Sequence, residues 1–222
     1  GANRGIGLAL TKLSLLKGLN VKACCRSIEK SIELKNLSLE YPNLNIHEMD
    51  VTNSSSIKKV SDSIKAKIDI LVCNAGVNNG KGDLFSNEHN EKSIMDVMMV
   101  NLGGPFLTVK HLYEKFNKNN NCRVAIISSL MGSQTHSSAN APIYRASKAA
   151  ANNLMRTLSN QLINEGIIVA SYHPGWVRTD MGGAHADISA EESAAGLLNH
   201  FINLSPKNSG RFYNYDGSDL PL

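Results

Sequence analysis

Short apolar, β-rich runs alternate with longer segments of helical apolar spacing along the whole chain, and this alternation constrains the fold more than any other feature. Residues 5–17 place Ile6, Leu8, Ala9, Leu10, Leu13 and Leu16 at helical intervals and meet a fitting stop at Gly18. Strands are expected at 21–25, 44–47, 68–73, 123–127, 167–172 and 212–215. Helices are expected at 28–40, 54–65, 88–116, 142–164 and 190–203. Such alternation implies an α/β fold, a parallel sheet with helices on both faces, wound by right-handed crossovers into a doubly wound architecture. Ligands of such sheets bind beyond the carboxyl ends of the strands, so the informative residues should follow each strand. No repeat, linker or boundary interrupts the pattern, and one domain is expected over 1–222.

The first helix opens on Gly1-Ala2-Asn3-Arg4-Gly5-Ile6-Gly7. Glycines let the backbone turn tightly, and the helix N-terminus presents free N–H groups and partial positive charge to a phosphate. A turn of this kind is expected to follow a strand. The chain starts at Gly1 without a Met, so it reads as a fragment lacking a short N-terminal strand.

Composition narrows the class. Apolar residues are 42% and charged residues 19% of 222, which fits a soluble globular protein and not a disordered one. The net charge of +4 is spread along the chain, without the basic stripe of a nucleic-acid binder. No run reaches the length of a membrane span, no signal peptide is evident, and a reducing cytoplasm is the default location. Cys24, Cys25, Cys73 and Cys122 match no zinc spacing and read as small buried hydrophobes. No metal site is expected.

Further stations follow the later strands. Asp50-Val51 follows the strand at 44–47, and Asn74-Ala75-Gly76 follows the one at 68–73. Ser128-Ser129 ends the strand at 123–127, and Tyr144 and Lys148 lie four apart on one helix face. An ammonium beside a phenol favours the phenolate, so this pair suits proton transfer near neutral pH. A Ser hydroxyl at the strand end suits holding a substrate oxygen. His173-Pro174-Gly175-Trp176-Val177-Arg178-Thr179 follows the strand at 167–172.

The G-x-x-x-G-x-G turn, N-A-G, Y-x-x-x-K and P-G segments, in this order, resemble the short-chain dehydrogenases/reductases over essentially the whole chain. The resemblance implies a Rossmann-type fold and an NADP-dependent oxidoreductase acting on CH–OH or C=O groups. Carried onto this sequence, it implies catalytic Asn101, Ser129, Tyr144 and Lys148. Tyr144 protonates the carbonyl oxygen, Ser129 orients it, Lys148 lowers the Tyr pKa and holds the nicotinamide ribose, and Asn101 holds a water. The cofactor site implied is Gly1, Asn3, Arg4, Gly5, Ile6, Gly7, Arg26, Asp50, Val51, Asn74, Ala75, Gly76, Tyr144, Lys148, Pro174, Gly175, Val177 and Thr179. Ser129 lies fifteen residues before Tyr144, two more than the family pattern, which implies an insertion within 132–141 and leaves open whether Ser128 or Ser129 faces the substrate. His173, at a strand end before Pro, reads as structural.

Within the family, the His-Pro-Gly-Trp-Val-Arg-Thr-Asp-Met-Gly-Gly and Phe212-Tyr213-Asn214-Tyr215-Asp216-Gly217 segments resemble the C-factor-like, Sniffer-type carbonyl reductases. That implies a small ketone, aldehyde or quinone as substrate. No acid follows the strand at 21–25 until Glu29; Arg26 stands there, and Arg4 lies in the glycine turn. Both are expected to favour NADPH, because a guanidinium pairs with a 2′-phosphate that a carboxylate would repel. A short lid at 180–190 implies an open, permissive site. The helices at 88–116 and 142–164 resemble those that pair across subunits, which implies a homodimer. The alternatives are a non-catalytic NADP(H)-binding regulator and a sugar-nucleotide epimerase or dehydratase. The second needs a larger C-terminal part than this chain has.

Overall fold

The structure, a computed structural model, describes residues 1–80 and 82–222. Seven strands and seven α-helices are named here in chain order: α1 (Gly5–Leu16), β1 (Val21–Cys25), α2 (Ile32–Glu40), β2 (Leu44–Glu48), α3 (Ser54–Ser63), β3 (Ile70–Cys73), α4 (Glu91–Met98), α5 (Gly104–Leu112), β4 (Cys122–Ile127), α6 (Pro142–Leu162), β5 (Ile167–His173), α7 (Ala190–Asn203), β6 (Phe212–Asn214) and β7 (Asp219–Leu220). Strands β3 to β6 run parallel in that order, and β7 closes the edge antiparallel to β6.

Period-two alternation decides which layer each strand residue joins. In β4 and β5, Val124, Ile126, Ile167 and Val169 pack under α3, α5 and α6 against Val60, Leu112, Met155 and Leu158. Their neighbours Ala125, Ile127, Ile168, Ala170 and Tyr172 face α1 and α7, against Leu10, Leu197 and Phe201. Runs buried on both faces are what a parallel sheet requires. Helix starts follow local chemistry: Asn53 caps α3 by accepting from Ser56 N–H, Asn90 and Ser93 form a capping box on α4, and Ser189 caps α7.

Several expectations are corrected. The helix expected at 28–40 begins only at Ile32, and Ser31 turns back to bond the carbonyl of Ser27. The helix expected at 88–116 is interrupted by a π turn over Met99–Gly103 and ends in a 3-10 turn over Tyr113–Lys115. β3 is shorter than expected, because Ile68 makes only an isolated bridge with Phe116. β7, two residues long, carries too little periodicity to be read from sequence. All four cysteines are unpaired; Cys25, Cys73 and Cys122 are buried as expected, whereas Cys24 is only half-buried.

The sheet is also divided. β1 and β2 pair only with each other, and β1 and β3 face one another across an apolar cleft of about 780 Å³ lined by Val21, Ala23, Leu71, Cys73, Leu10 and Phe201. Gly1 and Ala2 lie at its upper end, donating their N–H groups to the carbonyl of Cys24 at 2.8 and 3.0 Å. A separate apolar cluster of Leu8, Leu15, Ala23, Cys25, Leu34 and Leu44 holds the two-stranded unit to α1.

Candidate active site

The glycine turn leads into α1, whose first helical bond runs from Leu8 N–H to Arg4 C=O. The N–H groups of Gly5, Ile6 and Gly7 therefore have no helical partner. Two of the glycines are sterically required. A Cβ on Gly7 would sit 1.9 Å from the carbonyl oxygen of Gly1, and Gly5 has φ of +50° with Thr179 Cγ2 3.0 Å from where its Cβ would stand. Asn74 Nδ2 donates to Gly1 C=O at 2.9 Å, so the end of β3 braces the turn. Thr179 touches it from the loop after β5. Its hydroxyl donates to Val177 C=O and accepts from Gly182 N–H. No acid stands in the first turn of α1. Free helical N–H groups, glycines allowing close approach and no opposing carboxylate in that turn fit a bound diphosphate.

The residues expected around this cradle are brought to it by the strand ends. Asn3 is half-buried in the turn, and Arg26 is exposed just after β1. Asp50 accepts from Thr52 N–H and hydroxyl, which holds its carboxyl below the ordinary value. Val51 packs against Gly104. Gly175 has φ of +85° against Ile188, and Pro174 C=O accepts from Ser193 Oγ at 2.5 Å. The loop after β5 is compact: Val177 bridges Ile188, Trp176 Nε1 donates to Gly182 C=O at 2.9 Å, and Arg178 Nη1 donates to Ala186 and Asp187 carbonyls. Arg4 departs from expectation, since its guanidinium pairs with Asp180.

Next to the cradle lies a buried polar cluster. Tyr144 and Lys148, one turn apart on α6, are 9% and 3% exposed. Ser129 hydrogen-bonds Tyr144 and accepts from Met131 N–H at 3.1 Å. Ser128 is turned away and donates to Lys148 C=O at 3.1 Å. The geometry thus places Ser129, not Ser128, beside the phenol. Lys148 Nζ donates to Ile127 C=O at 2.9 Å and lies 5.6 Å from the Tyr144 ring centroid. A Cβ on Gly76 would be 3.4 Å from both Lys148 Nζ and Asn101 Oδ1, so the N-A-G segment, the π turn and α6 converge at one point.

Asn101 sits within the π turn with its side chain fully engaged. Its Oδ1 accepts from Val77 N–H, and its Nδ2 donates to Val77 C=O and to Ser147 Oγ, each at 2.9 Å. Ser147 in turn donates to Tyr144 C=O at 2.7 Å.

Burial sets the electrostatics. It pushes the Tyr144 phenol up to about 12, with Ser129 pulling the other way, and it lowers the Lys148 ammonium to about 8. Desolvation is the larger influence on the phenol and the Ser129 hydrogen bond opposes it. The phenol is therefore protonated at neutral pH. His173, at the end of β5, is lowered to about 4 by burial and by His136. It stays neutral.

The sequence profile described as short chain dehydrogenase matches residues 1–188. This chain belongs to the short-chain dehydrogenase family. Among solved structures, the short-chain dehydrogenase fold here is similar to the carbonyl reductase Sniffer of D. melanogaster, with a TM-score of 0.94, 28% identity, and 100% of this chain and 97% of that one covered. It is similar also to an NADPH-bound carbonyl reductase from chicken fatty liver, with a TM-score of 0.89, 31% identity, and 100% and 96% covered. The C-signal protein of Myxococcus xanthus is 35% identical over 158 residues, 69% of this chain and 92% of that protein. The expected likeness to the C-factor-like, Sniffer-type group is borne out.

Two residues of this short-chain dehydrogenase escaped sequence reading. Asp180 lies one position past Thr179, and only the fold shows that it meets Arg4. Arg145, next to Tyr144, carries no spacing signal, yet it gathers an entire loop.

Proposed function

We propose that this short-chain dehydrogenase is an NADPH-dependent carbonyl reductase acting on small ketones, aldehydes or quinones. The observation that carries the reading is the buried Tyr144 phenol, hydrogen-bonded to Ser129 and backed by Lys148 anchored on Ile127. When bound, the cofactor supplies the hydride. Ser129 holds the carbonyl oxygen within reach of the phenol, and Tyr144 gives its proton to that oxygen as negative charge develops there. Lys148 restores favourable charge beside the phenolate and meets the ribose. Asn101, locked to Val77 and Ser147, fixes the wall behind them. Its water-holding role is carried by the π turn and not by its occupied side-chain amide.

Gly1, Asn3, Gly5, Ile6 and Gly7 cradle the diphosphate, Arg4 and Arg26 meet the 2′-phosphate, and Asp50 with Val51 takes the adenine edge. Asn74, Ala75 and Gly76 support that edge from β3. Pro174, Gly175 and Val177 present the nicotinamide, and Thr179 contacts the phosphates. The chicken-liver relative holds NADPH, and here no acid intervenes between β1 and Glu29. The site is open and permissive, because only a short compact loop follows Thr179.

The unit is one domain over 1–222. It is cytoplasmic, on the strength of its unpaired cysteines. Among the described residues, no helix is long and apolar enough to cross a membrane. It forms a homodimer through the α4–α6 side, where Met95, Met99 and Phe106 are exposed.

The test is NADPH consumption with a panel of aldehydes, ketones and quinones. Turnover of several of them supports the reading. No turnover across the panel, with NADPH bound, makes the protein a non-catalytic NADP(H)-binding regulator.

A further inference from the structure

Between Ser133 and Ala141 the chain crosses the surface beside Tyr144. Residues 134–140 are all exposed, so apolar burial does not fix their path, and polar contacts must. Beside local bonds from His136 N–H to Ser133 C=O, between the Ser133 and Thr135 hydroxyls, and from Ser138 Oγ to Asn140 Oδ1, the contacts that tie the segment to α6 converge on one side chain. Arg145 Nη1 donates to His136 C=O at 2.9 Å and Met131 C=O at 3.4 Å. Its Nε donates to Asn140 C=O at 3.0 Å and its Nη2 to Asn140 Oδ1 at 3.3 Å. A guanidinium offers five donors in a rigid fork and no acceptor, which is the chemistry needed to collect carbonyls arriving from several directions.

Two further observations give this clamp a purpose. Met131 is held twice: its C=O by Arg145, its N–H by the Ser129 hydroxyl at 3.1 Å. The guanidinium therefore acts on the residue that orients Ser129, and Ser129 meets Tyr144, the chain neighbour of Arg145. The ring of contacts closes on itself. The loop also enters α6 through Ala141, a buried non-glycine residue at φ +49°. That conformation is costly and persists only where its surroundings enforce it. Ala141 N–H bonds Gly82 C=O at 2.9 Å on one side, and Arg145 holds the adjacent Asn140 on the other.

We propose that Arg145 is a positioning residue of the carbonyl site, setting the path of 131–141 and, through Met131, the Ser129 hydroxyl. This rests on the reading of Ser129 and Tyr144 given above. Of the cofactor residues only Tyr144 and Lys148 share α6 with Arg145, and the diphosphate cradle lies on other elements, so Arg145 should govern the carbonyl more than the nucleotide.

Arg145→Ala and Arg145→Lys are compared with wild type in carbonyl kinetics, NADPH titration by fluorescence, and hydrogen exchange of the intact protein. In the Ala variant the carbonyl kcat/KM falls about tenfold, mostly through KM, while the NADPH Kd stays within about twofold. Amides of 133–141 exchange faster and the core does not. Millimolar methylguanidinium restores part of the Ala variant's rate. Lys, which lacks the fork, does not substitute for Arg. Unchanged carbonyl kinetics overturn the proposal. So does a parallel loss of NADPH affinity with faster exchange throughout, which would mean general loosening. A wild type that turns over no carbonyl sinks the reductase reading instead. Loop exchange then decides the hold of Arg145 on its own, and unchanged exchange overturns it.

Discussion

Arg4 Nη1 donates to Asp180 Oδ2 at 2.7 Å, joining two residues 176 positions apart. The pair ties the glycine turn to the loop after β5, on the side where Thr179 already touches Gly5. Both side chains are mostly exposed, at 67% and 78%, so the pair itself adds little stability. Its effect is on the charge offered to a ligand: Asp180 occupies a cation of the glycine turn.

Asp180→Asn should therefore strengthen NADPH binding. We expect Kd to fall by about two- to fivefold at low salt, and by less at high salt, as screening removes exposed-charge effects. Fluorescence titration at two ionic strengths reads this directly. An unchanged or weaker Kd would show that Arg4 does not serve the nucleotide.

Arg26 stands exposed after β1 with no partner competing for it among the described ion pairs. Arg26→Asp should reduce the NADPH-over-NADH ratio of kcat/KM by at least about tenfold, the equivalent of one charge-assisted contact. Equal use of both cofactors by the wild type, or an unaltered ratio in the variant, removes Arg26 from the site.

Tyr144→Phe deletes one hydroxyl from a buried ring and leaves the cradle intact. Reduction should slow by about 10²–10⁴-fold, with NADPH Kd within about twofold. With the phenol at about 12, the wild-type rate should show no Tyr limb at neutral pH. Its alkaline decline should begin near pH 8, where Lys148 loses its proton. Turnover comparable to wild type in the Phe variant would refute the proton-donor role.

Lys148 carries the opposite balance for stability. Its pKa falls from 10.5 when unfolded to about 8 when folded. Below pH 8 both states hold the proton, and the folded state bears the whole penalty of a buried charge. Between 8 and 10.5 the unfolded chain binds more protons, so the stability contributed by this group rises with pH. Lys148→Met should then stabilise the fold at pH 7 by about 2 kcal/mol, after allowing for the carbonyl of Ile127 left without its donor. The gain should shrink toward pH 10. Thermal melts at pH 7 and pH 10 check this: Tm should rise by about 4–8 °C at pH 7, while activity is lost. A lower Tm at pH 7 would mean the ammonium stabilises the site.

Much of the architecture was legible because it rests on local period and end signals. Val124 and Ala125 face opposite layers by alternation alone, and Tyr144 and Lys148 share a face by helical spacing alone. The choice between Ser128 and Ser129 was not legible, because both hydroxyls end the same strand and only the turn through Met131 separates them. The reach of Arg145 depends on a loop folding back over its own helix. The pairing of Arg4 with Asp180 depends on two chain ends of the sheet meeting.

The π turn at Met99–Gly103 makes length, more than composition, the constrained property of the segment from α4 to α5. Such a turn is an α-helix carrying one surplus residue. Removing any one of the five would let the ladder close as ordinary α-helix with α5 still in phase, because four α residues wind about as far around the axis as five π residues. Val109 and Leu112 would stay under β3 and β4, and the loss would fall on Asn101, whose bonds to Val77 and Ser147 depend on the turn. Pro105 already sits at the start of α5, where the break in the ladder means its missing N–H costs little. Point substitutions here alter contacts one at a time, whereas a single-codon deletion would remove the turn that holds Asn101 and leave the helix beyond it in phase.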